Sequence, residues 1–297
     1  VIMLVFFVTQ MIAQFLGGAT LIESVTGLPY WLALVIFAFV VILYTAFGGF
    51  TAVVITDTFQ GIIMLIGTFL FLFFVVREIG DFETMAVVMD AQMPGWDTLT
   101  GTGYTPGGLL SFWVLVGIGV IGLPQTAVRG MGFKNTKSLH TAMLVGTVVA
   151  GFLMIGMHVG GAWSGALITG QEFASSDYVI PAAIQQIMPV GVAGIFLAAP
   201  MAAVMSTVSS LLILASASIV KDLWGTYVVK DDGEKKARFE KNLSKPSLAV
   251  TMLIGVIVFV LTLTPPDIIF WVNLFAMGGL ECCFFWDLWF LQPGMIL

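Results

Sequence analysis

Apolar positions along the chain run in stretches longer than a soluble helix needs, separated by short polar segments. The windows outline eight candidate membrane spans, at about 1–23, 29–47, 52–79, 108–128, 138–165, 190–220, 247–264 and 267–292. Helix is the expected state of each, because in hydrocarbon every backbone amide needs a partner within its own segment. Short turns are expected at 24–28, at 47–51 with Gly48 and Gly49, and at 264–267 with Pro265 and Pro266. The segments 80–107 and 166–189 are longer, and each carries the pattern of a surface helix, near 81–91 and 179–188. The chain therefore reads as an all-α, polytopic membrane protein.

Composition agrees with that reading: 59% of residues are hydrophobic and only 9% are charged, with a mean hydropathy of +1.05. No soluble domain tolerates such a surface. The net charge of −6 hides a sorting of signs. Of 11 cations, Arg129, Lys134 and Lys137 fall in one polar segment. Lys221, Lys230, Lys235, Lys236, Arg238, Lys241 and Lys245 fall in another, leaving only Arg77 elsewhere. The positive-inside rule makes loops 129–137 and 221–246 cytoplasmic and puts 80–107 and 166–189 outside. Alternating the eight spans from a cytoplasmic start reproduces this arrangement without adjustment. Membrane lipid is thus the expected surroundings, and no basic face suits nucleic acid. Val1 begins in mid-hydrocarbon with no initiator Met, so the expectation is a fragment: one transporter domain over 1–297, truncated at the N-terminus and at the C-terminus.

Several motifs carry no chemistry. The run Gly117-Ile-Gly-Val-Ile-Gly122 matches a dinucleotide fingerprint but lies inside an apolar span with no strand before it, so its glycines read as a helix break. Adjacent Cys282 and Cys283 suit neither an ordinary disulfide nor a metal cluster. His140 and His158 lack nearby metal-ligand companions, and the pairs Gly156/Gly160 and Gly161/Gly165 are spaced for close helix approach. No nucleophile–base pair points to an enzyme.

Other intramembrane features do point to chemistry. In 190–220, Ala203, Ser206, Thr207 and Ser210 follow i, i+3, i+4, i+7 spacing and share a face, with Ser209 on its flank. Uncharged hydroxyl oxygens suit a hard cation that must bind weakly and leave, and sodium fits. Close helix packing is the alternative for the same stripe. Asp57 stands near the start of the third span, where a carboxylate costs about 2.5–3.5 kcal/mol on insertion scales. It faces a cavity or ion path, or else it caps the helix following Gly48-Gly49. The fourth span holds Gly117, Gly119, Gly122 and Pro124, a succession that weakens helix at mid-membrane and frees backbone groups for a ligand, or produces a simple kink. Gln125 and Thr126 follow the break, and Arg129 reads as a snorkelling anchor. Glu281 and Asp287 fall in the last span.

Three segments carry a family resemblance: Tyr44-Thr-Ala-Phe-Gly-Gly-Phe50 through Thr56-Asp-Thr-Phe-Gln-Gly61, Gly122-Leu-Pro-Gln-Thr-Ala-Val-Arg129, and Ala198-Ala-Pro-Met-Ala-Ala-Val-Met-Ser-Thr-Val-Ser-Ser210. They resemble the sodium:solute symporter family. Phe112-Trp-Val-Leu-Val116, Ile195-Phe-Leu-Ala-Ala-Pro-Met-Ala-Ala203 and Trp271-Val-Asn-Leu-Phe-Ala-Met-Gly-Gly-Leu-Glu281 are most similar to its pantothenate-transporting branch. The likeness runs in order from about residue 10 to Glu281, after which Cys-Cys-Phe-Phe-Trp-Asp-Leu-Trp departs from the pattern.

This resemblance implies a LeuT-type inverted-repeat fold, of which the chain would supply core helices three to ten, about eight transmembrane helices. It also implies a principal sodium site with ligands from the missing first broken helix, the Ala203 carbonyl, and the Ser206 and Thr207 hydroxyls. Some relatives bind a second ion at positions matching Asp57, Ser206, Ser209 and Ser210; here the alternative for Asp57 is a sodium exit route. Family substrate positions match Val116, Val120 and Pro124, where two valines give an apolar wall. Trp113, Gln125 and Asn273 are further candidates for polar contacts. The expected function is secondary active transport in a bacterial cell (inner) membrane: symport of sodium, as coupling ion, with pantothenate or a similar small carboxylate by alternating access. The alternative is a symporter-like membrane sensor domain regulating an attached signalling module.

Overall fold

A computed structural model of the chain describes residues 1–92, 94–101, 104–168, 176–229, 239, 241–264 and 269–290. The regular elements among them are helices: α1 (Ile2–Thr26), α2 (Tyr30–Ile79), α3 (Phe82–Gln92), α4 (Pro106–Trp113), α5 (Pro124–Met131), α6 (Thr136–Ser164), α7 (Val179–Ile187), α8 (Val190–Ala217), α9 (Ser244–Thr262) and α10 (Ile269–Phe290). The protein is all-α and polytopic. Among the described residues, α1, α2, α6, α8 with its extension, and α9 are long and apolar enough to cross a membrane, and Pro106–Ile118 and Ile269–Cys283 form shorter apolar helices. α6 exposes Leu144 (73%) and Val148 (74%), apolar side chains on a helix long enough to cross a membrane.

Two boundaries differ from the hydropathy reading. The turn expected at 47–51 is a single-residue kink: α2 continues for 50 residues, bent at Gly49 (φ 61, ψ −168). That backbone conformation is essentially restricted to glycine. The span expected to end at 220 instead continues beyond α8 as π-helical turns over Ser218–Val229. The two surface helices form as expected, as α3 and α7. Asp81 starts α3 by accepting from the Thr84 amide (2.8 Å) and hydroxyl (2.9 Å), which holds its carboxyl below the usual carboxylate range. Pro265, Pro266, Lys230, Lys235, Lys236, Arg238 and the Asp287 side chain lie outside the described residues.

The helices divide into two compact units, one formed by Val1–Phe59 and Ala203–Leu297, the other by Gln60–Ala202. In the first, α1 packs on α9 and α10. Glycines permit this: the Phe6 ring occupies the space beside Gly279, and the Phe37 ring that beside Gly18. Phe15 meets Phe37 edge-on with ring centroids 5.3 Å apart. In the second unit, Gly67 lies against Ala199, and a Cβ at Gly160 would meet Phe71 at 2.7 Å. Phe71 packs on Phe196 at 5.0 Å. Gly156 meets Thr68 and Leu72, so the Gly156/Gly160 pair serves close approach, whereas Gly161 has only Ile180 within ordinary contact, at 3.7 Å.

Candidate functional site

A hydroxyl in an apolar helix must donate its proton somewhere, and the nearest acceptor is a carbonyl one turn back. The stripe on α8 does this in pairs. Ser206 Oγ (2.9 Å) and Thr207 Oγ1 (3.1 Å) both donate to the Ala203 carbonyl. Ser209 Oγ (3.1 Å) and Ser210 Oγ (2.9 Å) both donate to the Ser206 carbonyl. Ser209 is buried and the others are half-buried. With their protons committed to the helix, the hydroxyls keep only lone pairs for anything approaching from outside it. Neutral oxygen donors of this kind fit a hard cation held without a strong charge. The Ala203 carbonyl accepts both hydroxyl protons of its pair, so it becomes a ligand only when at least one of them turns away. Nearby, the Tyr44 hydroxyl donates to the Met205 carbonyl at 3.0 Å, fastening the first half of α2 beside the stripe.

Asp57 lies in the same unit as the stripe, half-buried, between Thr56 and Thr58, whose hydroxyls bond back to Val53 (2.9 Å) and Val54 (3.0 Å). It stands well past Gly49 within continuous α2. A cap would occupy the first position of a helix, so that reading of Asp57 does not hold.

The expected break in the fourth span is present and extended. α4 starts at the Thr105 cap, whose hydroxyl accepts from the Gly108 amide at 3.1 Å, with Pro106 at its first position. After Trp113 the chain widens into π-helical turns over Val114–Ile118, then tightens to 3₁₀ over Gly119–Gly122. Leu123 is extended (φ −75, ψ 125) and Pro124 starts α5. Changes of helical pitch displace carbonyls from their usual partners, and π turns recur at functional sites for that reason. Val116 and Val120 are half-buried in this segment and Pro124 is buried. Gln125 keeps its side-chain oxygen buried without a hydrogen bond among the described residues, and Trp113 is 53% exposed. Asn273, in the other unit, is engaged across helices: its Oδ1 accepts from Gln14 Nε2 of α1 at 3.1 Å. The Gln10/Gln14 spacing within an apolar span was the available signal for that polar seam. Tyr44, inside one of the segments that carry the resemblance, was missed as a neighbour of the stripe.

Residues 1–291 match the model of the sodium:solute symporter family. The chain belongs to this family. It is 43% identical over 290 residues to the sodium/pantothenate symporter of Haemophilus influenzae and 42% identical over 288 residues to that of Escherichia coli, in each case over 96% of this chain and 58% of the relative. Against the sodium/proline symporter 2 of Staphylococcus saprophyticus identity is 31% over 272 residues, 90% of this chain and 52% of the relative. The chain thus spans little more than half the length of the curated relatives it matches. Among the described residues no group of three or more His, Cys, Asp or Glu side chains is placed to hold a metal.

Proposed function

We propose that this chain serves sodium-coupled symport of pantothenate or a similar small carboxylate, by alternating access in a cell membrane. The observation that carries the reading is likeness along nearly the whole chain to proteins named sodium/pantothenate symporters, at 42–43% against 31% for a proline symporter. Sodium appears in the names of both kinds of relative, so the coupling ion rests on a broader base than the substrate does.

The proposed roles follow the donors. Sodium takes the Ala203 carbonyl and the Ser206 and Thr207 hydroxyls, exchanging hydroxyl-to-carbonyl bonds for ion contacts. The substrate lies along the broken segment, with Val116 and Val120 as its apolar wall, Pro124 holding the break, and Trp113, Gln125 and Asn273 as polar candidates. Gln125 favours this assignment because its buried oxygen lacks a hydrogen bond among the described residues. Asn273 serves only if it exchanges Gln14 for the ligand. Ion binding that favours an outward-open state would raise substrate affinity, and the substrate would raise ion affinity by the same factor. In a LeuT-type inverted-repeat fold, loops 129–137 and 221–246 would face the cytoplasm.

Uptake of labelled pantothenate by the full-length protein in proteoliposomes tests the reading. An inward sodium gradient should raise initial uptake well above that with equal sodium on both sides. Uptake indifferent to sodium would overturn the coupling, and sodium-driven uptake of proline but not pantothenate would overturn the substrate.

A further inference from the structure

Three carbonyls within one turn of α8 carry donors beyond the helix's own amides. Ala203 accepts the Ser206 and Thr207 hydroxyls, Ser206 accepts those of Ser209 and Ser210, and Met205 between them accepts the Tyr44 hydroxyl at 3.0 Å. A carbonyl oxygen has two lone pairs, so the donor on Met205 adds to the helical ladder without breaking it. Four of these five bonds arise inside α8. They turn and slide with the helix, so they do not fix where its hydroxyls point relative to the rest of the unit. The fifth comes from α2, and it does.

Tyr44 is half-buried and lies in the same compact unit as the stripe. Ala46 and Phe47, just after it, line a cavity together with Ile213 and Ser216, about two turns beyond Met205 on α8. The phenol ring therefore runs back along α8 and sets its hydroxyl one residue before Ser206. The bond also removes a choice. The Ser209 hydroxyl has two local acceptors, the Ser206 carbonyl three residues back and the Met205 carbonyl four back. Tyr44 holds Met205, and Ser209 donates to Ser206.

Placement matters more for neutral oxygens than for a carboxylate, because a dipole's attraction for a cation falls off faster with distance than a charge's. An oxygen about 5 Å from a helix axis moves nearly 1 Å when the helix turns by about 10°. That exceeds the tolerance of about 0.5 Å within which a binding constellation must be held. Given the sodium reading of the stripe, on which this rests, we infer that Tyr44 is a positioning residue for the sodium site. By holding the Met205 carbonyl it fixes the rotation of α8 at which Ser206 and Thr207 present their oxygens. It thereby sets sodium affinity while touching neither ion nor substrate.

Tyr30 supplies the comparison. It stands at the other end of the same half of α2 and makes the same kind of bond, its hydroxyl donating to the Thr262 carbonyl of α9 at 2.9 Å. Removing either hydroxyl frees α2 from one hydrogen bond, but Tyr44 holds α8 and Tyr30 holds α9.

The test is sodium-activated uptake of labelled pantothenate by the full-length protein in proteoliposomes. Tyr44→Phe keeps the ring and loses the hydroxyl. Half-activating sodium should rise about fivefold, the size expected for one hydrogen bond, with the KM for pantothenate at saturating sodium unchanged. Tyr30→Phe should leave both unchanged. The sodium concentration that half-maximally raises the melting temperature in detergent should shift by the same factor in Tyr44→Phe; it reads ion binding without transport, so a variant that carries substrate poorly is still scored. A rise of equal size in Tyr30→Phe, or a lower maximal rate in Tyr44→Phe with half-activating sodium in place, would reduce the bond to general packing and overturn the positioning role. Ser206→Ala and Thr207→Ala tell the two failures apart. If they raise half-activating sodium and Tyr44→Phe does not, the role of Tyr44 alone falls. If none of the three raises it, the sodium site falls too.

Discussion

The chain breaks two of its membrane helices, and it does so in opposite ways. In α2 the break is one residue: Gly49 adopts φ 61 and ψ −168, with helix on both sides. In the fourth span it is spread over Val114–Leu123, through π and 3₁₀ turns to an extended residue before Pro124, and none of those residues has a positive φ. A single glycine-only conformation concentrates the whole bend at one residue, a corner where any side chain would be strained. A distributed change of pitch uses only allowed conformations, so neighbouring arrangements are close in energy. The first suits a turn between spans, the second a segment that must bind and release a ligand.

Alanine at the two kinds of glycine breaks or sharpens that contrast, with the largest effect expected. Gly49→Ala forces a side chain into a glycine-only region and should lower stability by about 1–3 kcal/mol. Gly117→Ala meets nothing within 4 Å at an ordinary φ and should leave stability near wild type. Thermal denaturation of the full-length variants in detergent measures both. Equal melting points would show that the corner is not the strained element.

The hydroxyl stripe of α8 should give the next largest effect. Ser206→Ala and Thr207→Ala each remove one hydroxyl, a contribution of about 1–2 kcal/mol that raises the half-activating sodium concentration roughly 5- to 30-fold. Losing one hydroxyl also releases the Ala203 carbonyl from one of its two donors, which offsets part of the loss. Sodium-dependent uptake at normal expression checks this, and unaltered sodium dependence would reduce the stripe to packing.

Both breaks were legible in the sequence because glycine and proline act locally: Gly48-Gly49 between two spans, and Gly117, Gly119, Gly122 and Pro124 within one. Helix itself was legible because hydrocarbon leaves the backbone no other choice. Side-chain partners were not. Gln14 and Asn273 lie 259 residues apart, and nothing in either span says that they meet. The stripe at Ala203, Ser206, Thr207 and Ser210 was found from its spacing, but spacing does not tell where hydroxyl protons go. The doubling of two hydroxyls on one carbonyl appears only in three dimensions. Thr45 entered only within the Tyr44–Phe50 segment that carries the resemblance, and its buried hydroxyl without a hydrogen bond among the described residues appears only in three dimensions.

A smaller effect is expected at the wall of the distributed break. Val116→Ala and Val120→Ala each remove half-buried apolar surface worth about 1 kcal/mol, so the KM for pantothenate should rise roughly fivefold while half-activating sodium stays put. Competition by unlabelled proline is the control for substrate specificity. A change in sodium affinity without a change in KM would place these valines on the ion path.

The smallest and most discriminating prediction concerns whether a second ion binds between Asp57 and the stripe. Asp57 and the stripe occupy the same compact unit, and Ser206, Ser209 and Ser210 offer oxygens whose protons are already committed to the helix. A carboxylate facing them would supply the negative charge that hydroxyls alone lack. If this second site is coupled to transport, sodium activation of the full-length protein should show a Hill coefficient above one, falling toward one in Asp57→Asn or in Ser209→Ala/Ser210→Ala. The competing account keeps the serines as helix-bonded packing and Asp57 as the lining of an exit route. It predicts hyperbolic activation in the wild type, a one-to-one flux ratio of sodium to substrate, and in Asp57→Asn a slower turnover with the shape of the sodium curve unchanged. The shape of the curve separates the accounts even though the change in apparent affinity is small, because a coupling ion alters the order of the dependence and an exit route alters only its rate.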